Sequence, residues 1–270
     1  MYKGVDLNDI FRITALYTAF SADFPSTYSF SGEYHNFYEL VYVTEGSIGV
    51  TAGNDIYILH KGQSILHEPM EFHRIWSENN TNPSVIIISF GADNMPGYSS
   101  KVFNPDNSSR INEVFSLISS GFVITDDHVT AINDASASVQ AIKALELFLL
   151  ESISQSPGKR ELVKSASARN FSKIIRTLEN NIEKNLSVSD IARMCNMSEN
   201  SVKKTFSRYL GTGIMNHFNK LKITVAISML ENGLTVREIS EALGFQNQNY
   251  FSTVFKRIMG KSPTEYKKMV

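Results

Sequence analysis

The 270-residue chain has one cysteine, Cys195, so it forms no internal disulfide and fits a reducing cytoplasm. It also lacks any apolar run approaching the ~18 residues of a membrane span. Its first ten residues have no apolar leader core, so the sequence predicts a cytoplasmic protein with no membrane partner. No nucleophile–base set, glycine-rich phosphate loop or cysteine cluster stands out, which predicts no enzyme and no cofactor. With 42% hydrophobic and 20% charged residues the chain is neither disordered nor fibrous, and its length suggests two domains. Net charge is nearly absent too, at −1, but it hides a split. Residues 1–164 hold 10 Lys and Arg against 19 Asp and Glu, whereas 165–270 hold 16 against 8. A basic half on an otherwise acidic chain is a candidate nucleic-acid binder, with solvated surface as the plain alternative.

What is present divides by pattern. From Phe37 to Phe90 short strands alternate with turns, at Phe37–Thr44, Ser47–Ala52, Ile56–Leu59, Ser64–His67, Phe72–Trp76 and Ser84–Phe90. Gly46, Gly53-Asn54 and Lys61-Gly62 punctuate them, which points to a sandwich or small barrel. Helical patterns follow at Ser109–Ser120 and Thr130–Ser154. In the second, Val139, Ile142, Leu145, Phe148, Leu149 and Ile153 form one stripe, packed on its own domain or in a dimer seam. The expected organisation is a sensing barrel over 1–107, a helical dimerisation segment over 108–156, a linker over 157–168 and a helical domain over 169–270.

The basic half repeats itself. Ser187, Asp190 and Ile191 recur 48 residues on as Thr235, Glu238 and Ile239, and Phe206 and Gly211 recur 49 residues on as Phe255 and Gly260. Each unit opens on a capping-box pattern. Each then has a short helix, a residue tolerant of the left-handed conformation (Asn196 or Gly244), a second N-cap (Ser198 or Asn247) and an amphipathic helix. Two helix-turn-helix patterns at fixed spacing carry more weight than one.

The second unit reads Gly244-Phe245, Tyr250-Phe251, Phe255-Lys256, Gly260, Ser262-Pro263, Tyr266. Over about 171–268 this resembles the DNA-binding domain of the AraC-type (arabinose regulator) transcription factors. The resemblance implies a bacterial, sequence-specific transcription regulator, commonly an activator, with double-stranded DNA, a homodimer partner and RNA polymerase as partners. Three residues depart from the family pattern. Ser207 stands where a Lys is usual, Lys222 where an Arg opens the linking helix, and Lys267 where an Arg follows the last tyrosine. Such changes are expected to weaken or alter phosphate contacts.

Between the units, Met215–Leu230 reads as one helix with Phe218, Leu221, Val225 and Met229 on a face. It is of a scale to set two recognition helices about one DNA turn (~34 Å) apart. Facing Val202, Phe206 and Leu210 inward leaves Glu199, Asn200, Lys203, Lys204, Ser207 and Arg208 for DNA. Facing Phe251, Val254 and Phe255 inward leaves Gln248, Asn249, Ser252, Thr253 and Lys256, with Tyr250 undecided. Asn pairs with adenine and Lys with guanine, and the other contacts go to phosphate. For the cations, Arg257 included, solvated helix surface is the alternative.

In the acidic half, Glu33-Tyr-His35 to Glu39 and Gly46, then Lys61-Gly62 to Pro69 and His73, resemble the cupin-like arm of the same family. The implied fold class is α+β multidomain: an N-terminal cupin-like β-barrel with a helical dimerisation segment, and a C-terminal all-α domain with two helix-turn-helix units. The barrel is expected to bind a small-molecule effector, a sugar or related metabolite, through His35, Tyr38, Glu39, Tyr42, His73 and Trp76. The same residues filling the barrel as core is the plain alternative. His60 and His67 read as loop residues. His35, Glu39 and His73 form a His₂-carboxylate set, but Glu33 sits where metal-binding cupins carry a first His, so no metal is expected. A cupin metalloenzyme, or a protein-interaction barrel fused to a DNA module, remains the alternative reading.

Overall fold

The computed structural model describes residues 8–98, 100–104, 108–154 and 166–267. The chain divides into two compact units, Met1–Val163 and Lys164–Val270. Of the expected linker, 157–165 lies outside the described residues, and 166–168 open the first helix of the second unit.

The first unit contains β1 (Arg12–Asp23), β2 (Tyr38–Glu45), β3 (Ser47–Ala52), β4 (Asp55–His60), β5 (Ser64–His67), β6 (His73–Ser77), β7 (Ser84–Asp93) and β8 (Val102–Phe103). After these come α1 (Ser108–Gly121), β9 (Phe122–Thr125), β10 (His128–Ile132) and α2 (Ala135–Ser154). Seven strands form one antiparallel sheet in the order β8-β5-β2-β7-β1-β10-β9, and β4-β3-β6 form a second. Both faces of the large sheet are covered, so β2 and β7 read as unbroken apolar runs. On β2, Val41 and Val43 join Ile48, Val50, Leu59 and Ile75 between the sheets. Leu40 and Tyr42 point the other way, into a core with Ile111, Val114, Ile118, Leu145, Phe148 and Leu149 of the two helices. The helical stripe thus packs largely on its own domain.

Two elements differ from expectation. The long β1 lies ahead of the first strand expected, and it pairs with β7 from Arg12↔Asp93 to Asp23↔Ser84. The helix expected from Thr130 begins at Ala135, because 122–132 form a hairpin instead. Asp126 and Asp127 both take positive φ, 48° and 67°, as a two-residue turn with the strand twist requires. Of the expected segment 108–156, the described residues 108–154 are therefore two helices with a hairpin between them, and β10 joins the sheet at Thr18↔His128.

The second unit is helical throughout its described residues: α3 (Ala166–Glu179), α4 (Val188–Met194), α5 (Glu199–Leu210), α6 (Ile214–Glu231), α7 (Val236–Ala242), α8 (Gln248–Met259) and α9 (Pro263–Lys267). Among the described residues, no helix is long and apolar enough to cross a membrane.

Candidate effector cavity and nucleic-acid interface

Parity along the strands decides what enters the cavity of the first unit. Glu39 on β2 and His73 and Ile75 on β6 face between the sheets and line a cavity of about 550 Å³. Thr18 and Phe20 of β1, Ser89 of β7, the loop residues Phe24, Tyr28, Phe30, Glu33, His35 and Phe37, and Asp126–His128 at the hairpin tip complete its wall. Its described lining includes four carboxylates and no Lys or Arg.

Three expected lining residues are elsewhere. Tyr42 is buried on the helix-facing side of β2, and Tyr38, on that same side, stacks on Phe90 at 5.7 Å. A two-residue period cannot aim Glu39 and these tyrosines at one space. Trp76 lies outside the cavity as well, its indole directly over Gly49, where an added Cβ would come within 2.1 Å of the ring. Its Nε1 donates to Glu78 Oε2 at 2.7 Å.

Three cavity residues do converge. His73 Nε2 lies 3.2 Å from Glu39 Oε1, and His35 Nε2 lies 3.6 Å from Glu39 Oε2. Glu33 Oε1 is 3.8 Å from His73 Nε2. Ser89 Oγ donates to Glu39 Oε2 at 3.1 Å, and Thr18 Oγ1 donates to Ser89 Oγ at 2.7 Å. Burial alone would raise the Glu39 carboxyl, but His35 and His73 close beside it hold it far below the usual carboxylate range. Burial would lower His73, and the facing Glu39 carboxylate outweighs that and raises it.

His67 is not a loop residue. It ends β5 fully buried, stacked on His73 at 4.3 Å, and burial with repulsion from His73 pushes it down to about 4. Its place beside Ile65 by parity is the signal that reveals it. His60 ends β4, bonded through Nδ1 to Ser47 Oγ at 2.8 Å.

In the second unit the repeat becomes a repeated set of caps. Ser187 and Asp190 form a reciprocal capping box at α4, as Thr235 and Glu238 do at α7. Asn196 and Gly244 turn the chain at φ 50° and 61°. Ser198 accepts from Ser201 N at 3.2 Å and Asn247 from Tyr250 N at 2.8 Å, and so open α5 and α8. Gly211 and Gly260 close them at φ 64° and 73°. At Gly244 conformation is only part of the reason, since a Cβ there would come within 2.1 Å of Glu183 O.

These caps fix what α5 and α8 present. Val202, Phe206 and Leu210 are buried, as are Phe251, Val254 and Phe255. Glu199, Asn200, Lys203, Lys204, Ser207 and Arg208 are exposed on α5. Gln248, Asn249, Thr253 and Lys256 are exposed on α8, and Ser252 is half-buried. Tyr250, undecided from sequence, is 45% exposed and joins that surface. Lys203 Nζ lies 3.3 Å from Glu199 Oε2 within its own helix.

Two of the three family departures bond to carbonyls of the protein itself, one buried and one exposed. Lys222 is buried on α6, donating to Lys184 O at 2.7 Å and Leu243 O at 2.5 Å, with its charge 4.6 Å from the Phe218 ring. Lys267 donates to Gly233 O at 2.8 Å and Leu234 O at 2.9 Å, just past the α6 C-terminus. Both tie the protein to itself. The α6 stripe shifts as well: Phe218, Lys222, Ala226 and Leu230 are buried, while Leu221, Val225 and Met229 are half-buried.

A family model described as an AraC-like ligand binding domain matches residues 18–145, and one described as a helix-turn-helix domain matches 191–269. The chain belongs to the AraC-type transcription regulators. This AraC-type regulator is 24% identical to the Msm operon regulatory protein of Streptococcus mutans, across 100% of this chain and 97% of that one. It is 25% identical to the HTH-type transcriptional regulator YidL of Escherichia coli, across 85% and 74%. Among solved structures it is similar to ToxT from Vibrio cholerae, at 18% identity and TM-score 0.38, across 96% and 98%. The regulator binds DNA through its helix-turn-helix unit and carries a ligand-binding unit before it.

Proposed function

We propose that this regulator is a cytoplasmic homodimer that works by binding rather than catalysis, and that a neutral hydroxylated molecule of the sugar class is its effector. The observation that carries the effector reading is the cavity lining: carboxylates and histidines to accept and donate hydrogen bonds, aromatic faces, and no Lys or Arg among the described lining residues to pair with an acidic ligand. On α5 and α8, Asn200, Lys203, Lys204, Ser207, Arg208, Gln248, Asn249, Ser252, Thr253 and Lys256 meet DNA, with Glu199 at the entry to α5. Helix α6, 18 residues and so about 27 Å long, sets the two apart on the scale of one DNA turn.

Effector occupancy acts by favouring one arrangement of the sensor over another. The hairpin gives that shift a path, because Asp126–His128 line the cavity while its strands run between α1 and α2. Val139 and Leu147 of α2, 61% and 51% exposed, offer an apolar face for the dimer. Activation, with RNA polymerase as a further partner, is the outcome we assign.

A thermal-shift screen of the full chain against neutral sugars, sugar acids and fatty acids tests the effector class. Trp76, the single tryptophan, reports the sensor unit alone. A saturable rise in melting temperature with a neutral sugar, lost in Asp127→Asn, is expected. A rise with acids only refutes it.

A further inference from the structure

Two imidazole nitrogens in the cavity wall, Nε2 of His35 and Nε2 of His73, point at carboxylates. His35 Nδ1 is 2.9 Å from Phe37 O, and His73 Nδ1 is 3.2 Å from Glu71 O. A carbonyl only accepts, so Nδ1 of each ring carries a proton and donates it there, and Nε2 is the nitrogen that faces inward. There both Nε2 atoms are buried and without a hydrogen-bond partner, facing Glu39 and, for His73, Glu33 as well. Two buried imidazole nitrogens and two carboxylates converging on one point call for positive charge at their centre.

We propose that Glu33, His35, Glu39 and His73 bind a divalent first-row transition-metal ion in the wall of the cavity. One ligand atom from each of the four lies within 4.8 Å of all the others. Neighbouring ligands at ~2.1 Å from an ion sit about 3.0–3.4 Å apart, so only small side-chain movements are needed. Two imidazoles with two carboxylates suit zinc, iron(II) or manganese(II) better than magnesium or calcium, which favour oxygen alone.

The outer contacts are of the kind that orient metal ligands. Backbone carbonyls fix both tautomers, and the Thr18–Ser89 chain holds Glu39. Glu33 is held by reciprocal backbone bonds with His73, Glu33 N to His73 O at 3.0 Å and His73 N to Glu33 O at 3.2 Å. Its side chain stays half exposed at the cavity side, so the ion can load without unfolding the barrel. Metal uptake on this account needs no sugar and no DNA.

The test uses full-length protein stripped with a chelator, then titrated with Zn²⁺ by calorimetry and with Co²⁺ by visible absorption. One Zn²⁺ per chain is expected, with no comparable uptake of Mg²⁺. His35→Ala should abolish uptake, and the exposed change Glu33→Gln should weaken it by about tenfold or more and alter the Co²⁺ bands. No Zn²⁺ uptake by the wild type, or uptake unchanged in both variants, overturns the proposal. Should His35→Ala lose its circular dichroism, Glu33→Gln and the Co²⁺ spectrum decide. Failure here leaves the sugar screen standing, so the two readings fall separately.

Discussion

The two helix-turn-helix units share their caps and differ in their faces. Box, left-handed turn, N-cap and C-terminal glycine match position for position from Ser187–Gly211 to Thr235–Gly260. The surfaces they hold out do not match. Helix α5 opens with Glu199, which pairs with Lys203, whereas α8 opens with Gln248-Asn249 and has no acid in its first turn. Their cores differ too, since α5 packs Phe206 edge-on against His217, whereas α8 packs Phe251 against Phe255 and Phe245. Backbone chemistry repeats where geometry must be the same, and side chains diverge where each helix meets different partners.

The largest expected effect separates the two turns. Gly244→Ala places a Cβ against Glu183 O at a left-handed residue, and should cost about 2–4 kcal/mol. Asn196→Gly should change stability by less than ~1 kcal/mol. Urea unfolding followed by circular dichroism checks the pair. Equal costs would mean that the turns are interchangeable after all.

Acid should then distinguish the cores. Burial, reinforced by Lys220, pushes His217 down to about 3, so the fold refuses a proton that the unfolded chain takes up near 6.5. The protons bound on unfolding make stability fall as pH drops below about 6.5, by about 2 kcal/mol at pH 5. Hydrogen exchange should show α5 loosening before α8, and His217→Gln should flatten the dependence. Simultaneous loosening would deny that the cores differ.

The N-caps should behave alike. Ser198→Ala and Asn247→Ala should each cost about 1 kcal/mol, and a cost confined to one would break the equivalence of α5 and α8. The smallest effect is electrostatic. Glu199→Gln frees Lys203 and removes a like charge from the DNA face, tightening non-specific duplex binding about two- to fivefold at low salt. Weaker binding would show that Glu199 makes a favourable contact of its own.

The same contrast explains what the sequence made legible. The caps were readable because Ser, Thr, Asn and Gly act through their own backbone, within four residues. The barrel strands from Phe37 onward were readable as apolar runs. Strand β1 was not, because Arg12–Asp23 mixes Ala, Thr and Ser with partly exposed aromatics and pairs through two register shifts. The hairpin hid behind Asp126-Asp127, a weaker turn signal than Asn-Gly.

Within the cavity, His35, Glu39 and His73 were legible from their spacing. Tyr38 and Tyr42 lie on the other face of β2, because the two-residue period of a strand sets them opposite Glu39. Lys222 and Lys267 stand where the family carries Arg, yet Lys222 lies four residues from both Phe218 and Ala226 on the buried side of α6. A cation on an apolar stripe, with two carbonyls in reach, turns inward.

The central claim is that both helices, α5 and α8, meet the DNA backbone. Measuring the salt dependence of binding to a random-sequence duplex for wild type, Lys203→Ala and Lys256→Ala tests it most directly. Each lost phosphate contact should make the slope of log K against log salt shallower by about 0.9. A slope unchanged in either variant would contradict the account for that helix, and unchanged in both would contradict it altogether.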